Sequence, residues 1–301
     1  MEWNDDELNS AMREMNRRSI KLPDGAEIPV IGQGTWHMGE DPFNRASEQE
    51  ALRLGVRLGL NLIDTAEMYG EGRSESLIGE SITDIRDDLF LVSKAYPNHA
   101  TRKKLAAACD QSLKRLGTDH LDLYLLHWRG ATPLEETVRG MEELKRAGKI
   151  LRWGVSNFDT KDMQDLWSVP EGNNCAVNQI LYHLGSRGIE YELLPWMREH
   201  HVTVMAYCPL AEGGSLKSQL LKDPAVVKAA TNHQATPLQI LLAWAIRNAE
   251  TDGIVAIPKA GRPEHVLLNA QAAAIRLSKE EQHSLELAFP HPSRKLPLDI
   301  V

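Results

Sequence analysis

The chain of 301 residues has little cysteine: Cys109, Cys175 and Cys208 are all there is. They form no CxxC pair and no obvious disulfide set, which argues against a thiolate metal site, a dithiol redox motif or a disulfide-stapled scaffold. A basic surplus is also missing. With a formal net charge of −8, the chain gives no electrostatic reason to expect nucleic acid or an anionic membrane as partner. Long apolar runs are absent too, and the stretch at residues 240–246 is far too short to cross a bilayer. Residues 1–7 are acidic, where a secretory signal needs a basic start and then an apolar stretch. A cytoplasmic protein is therefore expected. There is no internal repeat, no low-complexity segment and no shift in composition that would mark a linker. What is present, 42% hydrophobic and 25% charged residues, is ordinary for a globular protein.

Residues 1–18 stand apart as a leader, readable either as a helix or as a frayed polar segment. Leu8, Ala11, Met12 and Met15 recur at helical spacing, Asp5, Asp6 and Glu7 come first, and Arg13, Arg17 and Arg18 come last. That order complements a helix dipole, and Asn4 with Glu7 resembles a capping box. A hairpin follows, with strand-like pieces on either side of Asp24-Gly25. From Val30 onward the chain alternates strand and helix. Strands are predicted near 31–34, 61–64, 89–94, 121–127, 151–155, 176–179, 202–207 and 254–257. Helices are predicted near 47–58, 74–82, 101–115, 134–147, 160–168, 190–200, 236–248 and 263–272. Eight such pairs over residues 19–301 predict a single α/β domain, a closed (β/α)8 TIM barrel. A doubly wound open sheet is the competitor, but Gly32-Gln33-Gly34 is not followed by the third glycine of a GxGxxG turn.

Asp64, Tyr69, Lys94 and His127 each lie at or just past the end of a predicted strand. Parallel strands deliver all four to one rim of the barrel. A carboxylate, a phenol, an ammonium and an imidazole brought together there can pass a proton to a substrate oxygen. A reaction that builds negative charge on a substrate oxygen needs such a donor within hydrogen-bond reach. A phenol is a weak acid with a pKa near ~10. A neighbouring ammonium is expected to lower that value, with a carboxylate holding the ammonium in place.

Five strings carry a resemblance. They are Gly34-Thr35-Trp36, the segment Asp64-Thr65-Ala66-Glu67-Met68-Tyr69-Gly70, the segment from Leu116 to Trp128, Gly154-Val155-Ser156-Asn157-Phe158, and Ile257-Pro258-Lys259. Each alone is weak, but in this order on this frame the chain resembles the aldo-keto reductases, over nearly its whole length after residue 20. The resemblance implies an NADP(H)-dependent oxidoreductase with Tyr69 as proton donor, Lys94 as its tuner, Asp64 as the lysine's partner and His127 orienting the carbonyl. It implies an extended NADPH along the rim, with Ser156, Asn157 and Gln179 on the carboxamide and Tyr207 stacked on the nicotinamide. Gly34, Thr35, Trp36, Asp64, Cys208, Pro209, Leu210, Ile257 and Asn269 complete the cofactor set. Lys259 matches the lysine that meets the 2′-phosphate.

Two departures stand out. Cys208 replaces a frequent serine, and His265 replaces a frequent arginine, which offered a charged bidentate fork. Arg262 lies close enough in sequence to compensate, so a modest preference over NADH is expected. Trp36, Met68, Tyr96, His127 and Trp128 are expected to line the substrate mouth. The segments at residues 128–132 and 289–301 are short, which predicts an open site for small aldehydes or dicarbonyls such as methylglyoxal, as in bacterial members of the family. No metal is expected, and the protein is expected to be a monomer or weak oligomer. Two other readings compete: a slow, nicotinamide-bound regulatory subunit of the same fold, and a metal-dependent hydrolase. The second is disfavoured because no HxH follows the first strand and a lysine–tyrosine pair has no part in such chemistry.

Overall fold

The computed structural model describes residues 4–212 and 214–301. The leader contains a helix, α1 (Asp5–Asn16), and the hairpin follows as β1 (Ser19–Lys21) and β2 (Glu27–Pro29), with Ile20 opposite Ile28. Asn4 caps α1 by accepting the Asp6 N–H at 3.0 Å. The helix is docked rather than frayed. Ala11 and Met15 are buried, and α1 packs on the last barrel helix. Just past α1, Arg18 reaches Glu250 at 2.6 and 2.9 Å and the Ile246 carbonyl at 2.8 Å.

Eight parallel strands follow: β3 (Gln33–Gly34), β4 (Leu62–Asp64), β5 (Phe90–Ala95), β6 (Leu123–Leu126), β7 (Trp153–Ser156), β8 (Val177–Leu181), β9 (Thr203–Tyr207) and β10 (Ile254–Ala256). Each pairs with its successor. The ring closes through the parallel bridges Ile31–Ala256 and Gly34–Lys259, with the Gly32 N–H on the Ala256 carbonyl at 2.8 Å. This is a closed (β/α)8 barrel.

The helices α2 (Arg45–Arg57), α3 (Arg73–Ile82), α4 (Arg102–Leu116), α5 (Leu134–Arg146), α6 (Thr160–Trp167) and α7 (Leu193–Glu199) alternate with the strands as predicted. Between β9 and β10 the sequence predicts one helix, near 236–248. The chain instead forms α8 (Gly214–Lys222), α9 (Pro224–Asn232), α10 (Pro237–Ala245) and α11 (Ala249–Asp252) before α12 (Pro263–Ala272). A further helix, α13 (Lys279–Ala288), was not expected either. Their start signals are present in the sequence: Asp223 ahead of Pro224, and the capping boxes Thr236/Gln239 and Ser278/Glu281. Hydrophobic periodicity finds α10, most of which is buried, but overlooks α8, α9, α11 and α13 because few of their residues face the core; Leu285 is the one buried residue of α13.

Side chains along a strand alternate between two faces. Leu62, Phe90, Val92, Leu123, Leu125, Val177, Met205 and Val255 belong to the apolar cluster inside the barrel, whereas Ile63, Leu91, Tyr124, Val204 and Ile254 belong to the layer under the helices. That alternation places the site.

Candidate active site

Two residues beyond the last apolar inward position, five of the strands change to polar chemistry. Leu62 is followed on its face by Asp64, Val92 by Lys94, Leu125 by His127, Val177 by Gln179 and Met205 by Tyr207. The same pleat that fills the barrel with aliphatic groups thus aims five polar side chains into its carboxyl-terminal mouth.

Lys94 is fully buried and is the hub. Its Nζ donates to Asp64 Oδ2 at 2.7 Å, to the Thr65 carbonyl at 2.8 Å and to Tyr69 Oη at 3.1 Å. The other carboxylate oxygen of Asp64 accepts from Gln179 Nε2 at 2.7 Å. Burial pushes the Asp64 carboxyl up and the Lys94 ammonium down, while each charge opposes the other's shift. With the ammonium's three donors all engaged and the carboxylate held on both oxygens, the pair is hydrogen-bonded as an ion pair.

Tyr69 differs from expectation. Lys94 was expected to lower its pKa, but burial, and then the Asp64 charge, hold the phenol well above its ordinary value. The physical reason is that one ammonium, already neutralised by Asp64, cannot offset the loss of solvation. Tyr69 therefore keeps its proton at neutral pH. After it, Gly70, Glu71 and Gly72 all adopt left-handed backbone (φ 56°, 56° and 87°) before α3 begins, which turns the chain sharply behind the phenol.

His127 faces Tyr69 edge-on, with ring centroids 5.8 Å apart. Burial, with Lys94 nearby, pushes the imidazole down to about 3, so it is neutral. Its Nδ1 is buried without a partner among the described residues, which leaves Nε2 as the nitrogen available to a bound molecule.

Opposite lies an amide wall. Ser156 Oγ donates to the Gln179 carbonyl at 2.9 Å, Asn157 Nδ2 reaches the His127 carbonyl at 3.3 Å, and Tyr207 Oη donates to Asn157 Oδ1 at 2.8 Å. Asn157 is left-handed (φ 58°) directly after β7, and Cys208 (φ 49°) directly after β9. Asparagine tolerates this region better than most residues. The Cys208 thiol is half-buried and pushed up to about 11, so it is not a thiolate at neutral pH.

Trp36, Met68, Tyr69, His127, Trp128, Ser156, Asn157, Gln179, Tyr207 and Val301 enclose a cavity of about 80 Å³. Two expectations are corrected. Tyr96 does not line it, but braces Trp128 edge-on at 6.0 Å. The tail after α13, brief in sequence, is nevertheless a wall: Asp299 bonds the Ser186 hydroxyl and Val301 reaches the cavity. A second acid went unnoticed in the sequence although it lies inside the Asp64–Gly70 string. Glu67 Oε1 accepts the Tyr96 N–H at 2.6 Å and meets His99 Nδ1 at 2.9 Å, fastening the loop that carries Tyr96. Thr35 is fully buried with its hydroxyl on the Asp64 carbonyl at 2.9 Å, so it supports the site from behind. Gly34 permits a close approach, since a β-carbon there would lie 2.6 Å from the Ile257 carbonyl.

Along the same rim, toward α12, the chemistry becomes cationic. Lys259, Arg262 and His265 are exposed, and among the described residues none has an ion-pair partner. They surround the start of α12, where Pro263 takes a first-turn position and, among the described residues, no side chain caps the helix. Uncapped N–H groups beside cations are suited to holding an anion. Asn269 is buried one turn further along. Ile257, Pro209 and Leu210 lie on the β10 and β9 edges of this path.

The aldo/keto reductase family model matches residues 30–288 of this sequence. The chain belongs to the aldo/keto reductase family. It is 51% identical to a methylglyoxal reductase, YeaE, of Escherichia coli over 287 residues, 95% of this chain and all of that relative. It is 30% identical to a glyoxal reductase of Bacillus subtilis, covering 89% and 91% of the two chains. Among solved structures, an aldo/keto reductase from Klebsiella pneumoniae in complex with NADP and acetate superposes with a TM-score of 0.91 at 51% identity, covering 94% of this chain and 99% of that one. The protein is an enzyme of this oxidoreductase family, and no described helix is long and apolar enough to cross a membrane.

Proposed function

We propose that this reductase converts small aldehydes and dicarbonyls to alcohols at the expense of NADPH, with Tyr69 as the proton donor. The observation that carries the reading is the three-way contact of Lys94 with Asp64, Thr65 and Tyr69 beside a neutral His127, all facing one cavity. The bound cofactor would supply the hydride. The residues that fit it are Ser156, Asn157 and Gln179 for an amide, Tyr207 for a planar ring, and the uncapped start of α12 with Lys259 for a phosphate.

His127 donates from Nε2 to the substrate carbonyl oxygen and fixes its position. Tyr69 gives its proton to that oxygen as negative charge builds there, and its raised pKa ensures that the proton is present to give. Lys94, 3.1 Å away, stabilises the phenolate left behind. Asp64 holds Lys94 charged and in place. Trp36, Met68 and Trp128, on the side of the cavity away from the residues that fit the cofactor, pack around the rest of the substrate. The names of the Escherichia coli and Bacillus subtilis relatives support a short dicarbonyl, methylglyoxal or glyoxal. We further read residues 19–301 as one catalytic domain with α1 as its brace, acting in the cytoplasm as a monomer or weak oligomer.

The test is consumption of NADPH, followed by its near-ultraviolet absorbance, with a panel containing methylglyoxal, glyoxal, an aromatic aldehyde and a ketosteroid. Turnover of the small carbonyls with a poor ketosteroid is expected. No turnover of any carbonyl would sink the proposal.

A further inference from the structure

Glu48 lies in the first turn of α2 and is only 3% exposed. Its Oε2 accepts the Gly39 N–H at 2.9 Å, and among the described residues no ion pair involves it. Helix α2 packs against α12, and Ser47 Oγ donates to the Gly261 carbonyl at 3.2 Å, which brings this acid beside the loop that carries Lys259. A β-carbon built on Gly261 would lie 3.6 Å from Glu48 Oε1 and 3.5 Å from Lys259 Nζ. A buried carboxylate and an exposed ammonium therefore face the same small space without touching.

We infer that Glu48 sets the cofactor preference of this enzyme by opposing a phosphate at Lys259. The inference rests on the nicotinamide reading above. A 2′-phosphate entering the space over Gly261 is attracted by Lys259 and repelled by Glu48, which also competes for the same ammonium. A ribose 2′-hydroxyl in that place can instead donate to the carboxylate. Because His265 supplies no permanent charge where an arginine would, Lys259 and Arg262 alone balance the acid. The site thus tolerates the unphosphorylated cofactor better than its cations suggest.

The test measures dissociation constants for NADP⁺ and NAD⁺ by quenching of tryptophan fluorescence, in the wild type, Glu48→Gln and Glu48→Asp. Glutamine keeps an oxygen for the Gly39 N–H and removes only the charge. One unit charge at about 7 Å, through a dielectric between protein surface and water, corresponds to roughly a five- to tenfold change in an equilibrium constant. Glu48→Gln should therefore tighten NADP⁺ by about that factor while NAD⁺ stays the same or weakens. Glu48→Asp, whose carboxylate is withdrawn by one methylene, should move the ratio the same way by less. Binding of both cofactors with an unchanged ratio in both variants, or an equal shift for the two, would make Glu48 structural and overturn the inference alone. A wild type that binds neither cofactor would overturn the nicotinamide reading and this inference with it.

Discussion

Replacing Lys94 by methionine removes the group on which the proposed chemistry turns, and the structure separates its two consequences. The first is on stability. Asp64 is left as a buried carboxylate with Gln179 as its remaining side-chain donor, at 2.7 Å. Breaking one partner out of a buried ion pair costs about 3–5 kcal/mol. The second is on rate. The ammonium lies 3.1 Å from the phenol oxygen. At an effective dielectric of about 20, a unit charge at that distance stabilises a phenolate by roughly 5 kcal/mol. Allowing for Asp64 to cancel part of that, a loss of at least ~10³ in kcat is expected, given about 1.4 kcal/mol per decade. The two effects are separated by adding Asp64→Asn to Lys94→Met. The neutral pair no longer buries an unpaired charge, so the urea midpoint should recover, but the phenolate still lacks its cation and the rate should not. Unfolding curves and NADPH consumption on the wild type, both single variants and the double variant complete the cycle. If the rate returned together with the stability, Lys94 would be a structural prop and the proton-donor argument would fail.

Tyr69→Phe should retain cofactor binding and lose at least ~10²-fold in kcat, the usual scale for a general acid; wild-type turnover in that variant would end Tyr69's assignment. The histidines give a pH prediction. His127 is pushed down to about 3 and His183 to about 4 by burial, so the unfolded chain takes up these protons first as pH falls. Their contribution to stability is intact above about pH 6.5 and is lost progressively toward pH 3–4, with a slope of at most about 1.4 kcal/mol per pH unit for each. The urea midpoint should fall between pH 7 and 5, less steeply in His183→Asn; a flat profile would contradict the burial argument. Lys259→Ala should raise KM for NADPH far more than for NADH, since only the former carries the 2′-phosphate, and equal effects on both would remove Lys259 from that end of the site. Across unrelated small aldehydes, kcat/KM should stay within about three orders of magnitude, because a small substrate offers little surface for the site to grip.

The sequence alone determined the barrel and most of the rim. Apolar runs such as Phe90-Leu91-Val92 and Leu123-Tyr124-Leu125 mark buried parallel strands, and their period of two fixes which way Lys94 and His127 point. Polar residues at the ends of such strands are legible because they break the aliphatic pattern at the same level in several strands. The sequence also placed Lys259, Arg262 and His265 around the start of α12, whereas their lack of ion-pair partners among the described residues is seen only in the structure. It could not decide the state of Tyr69: proximity to a lysine argues for a lowered pKa, and only the degree of burial in the closed barrel reverses the sign. Nor could it seat the tail, since nothing in a stretch of mixed polarity and frequent proline says that Asp299 bonds Ser186 or that Val301 reaches the cavity. Tyr96 read as a mouth residue from its place after β5, yet its contact with Trp128 turns it into a brace. Glu48 and Gly261 lie more than two hundred residues apart in the chain, and the carboxylate meets the lysine loop only because ring closure brings α2 against α12. Local patterns encode what each strand and helix presents, whereas desolvation and contacts across the closure of the barrel exist only once every element is in place.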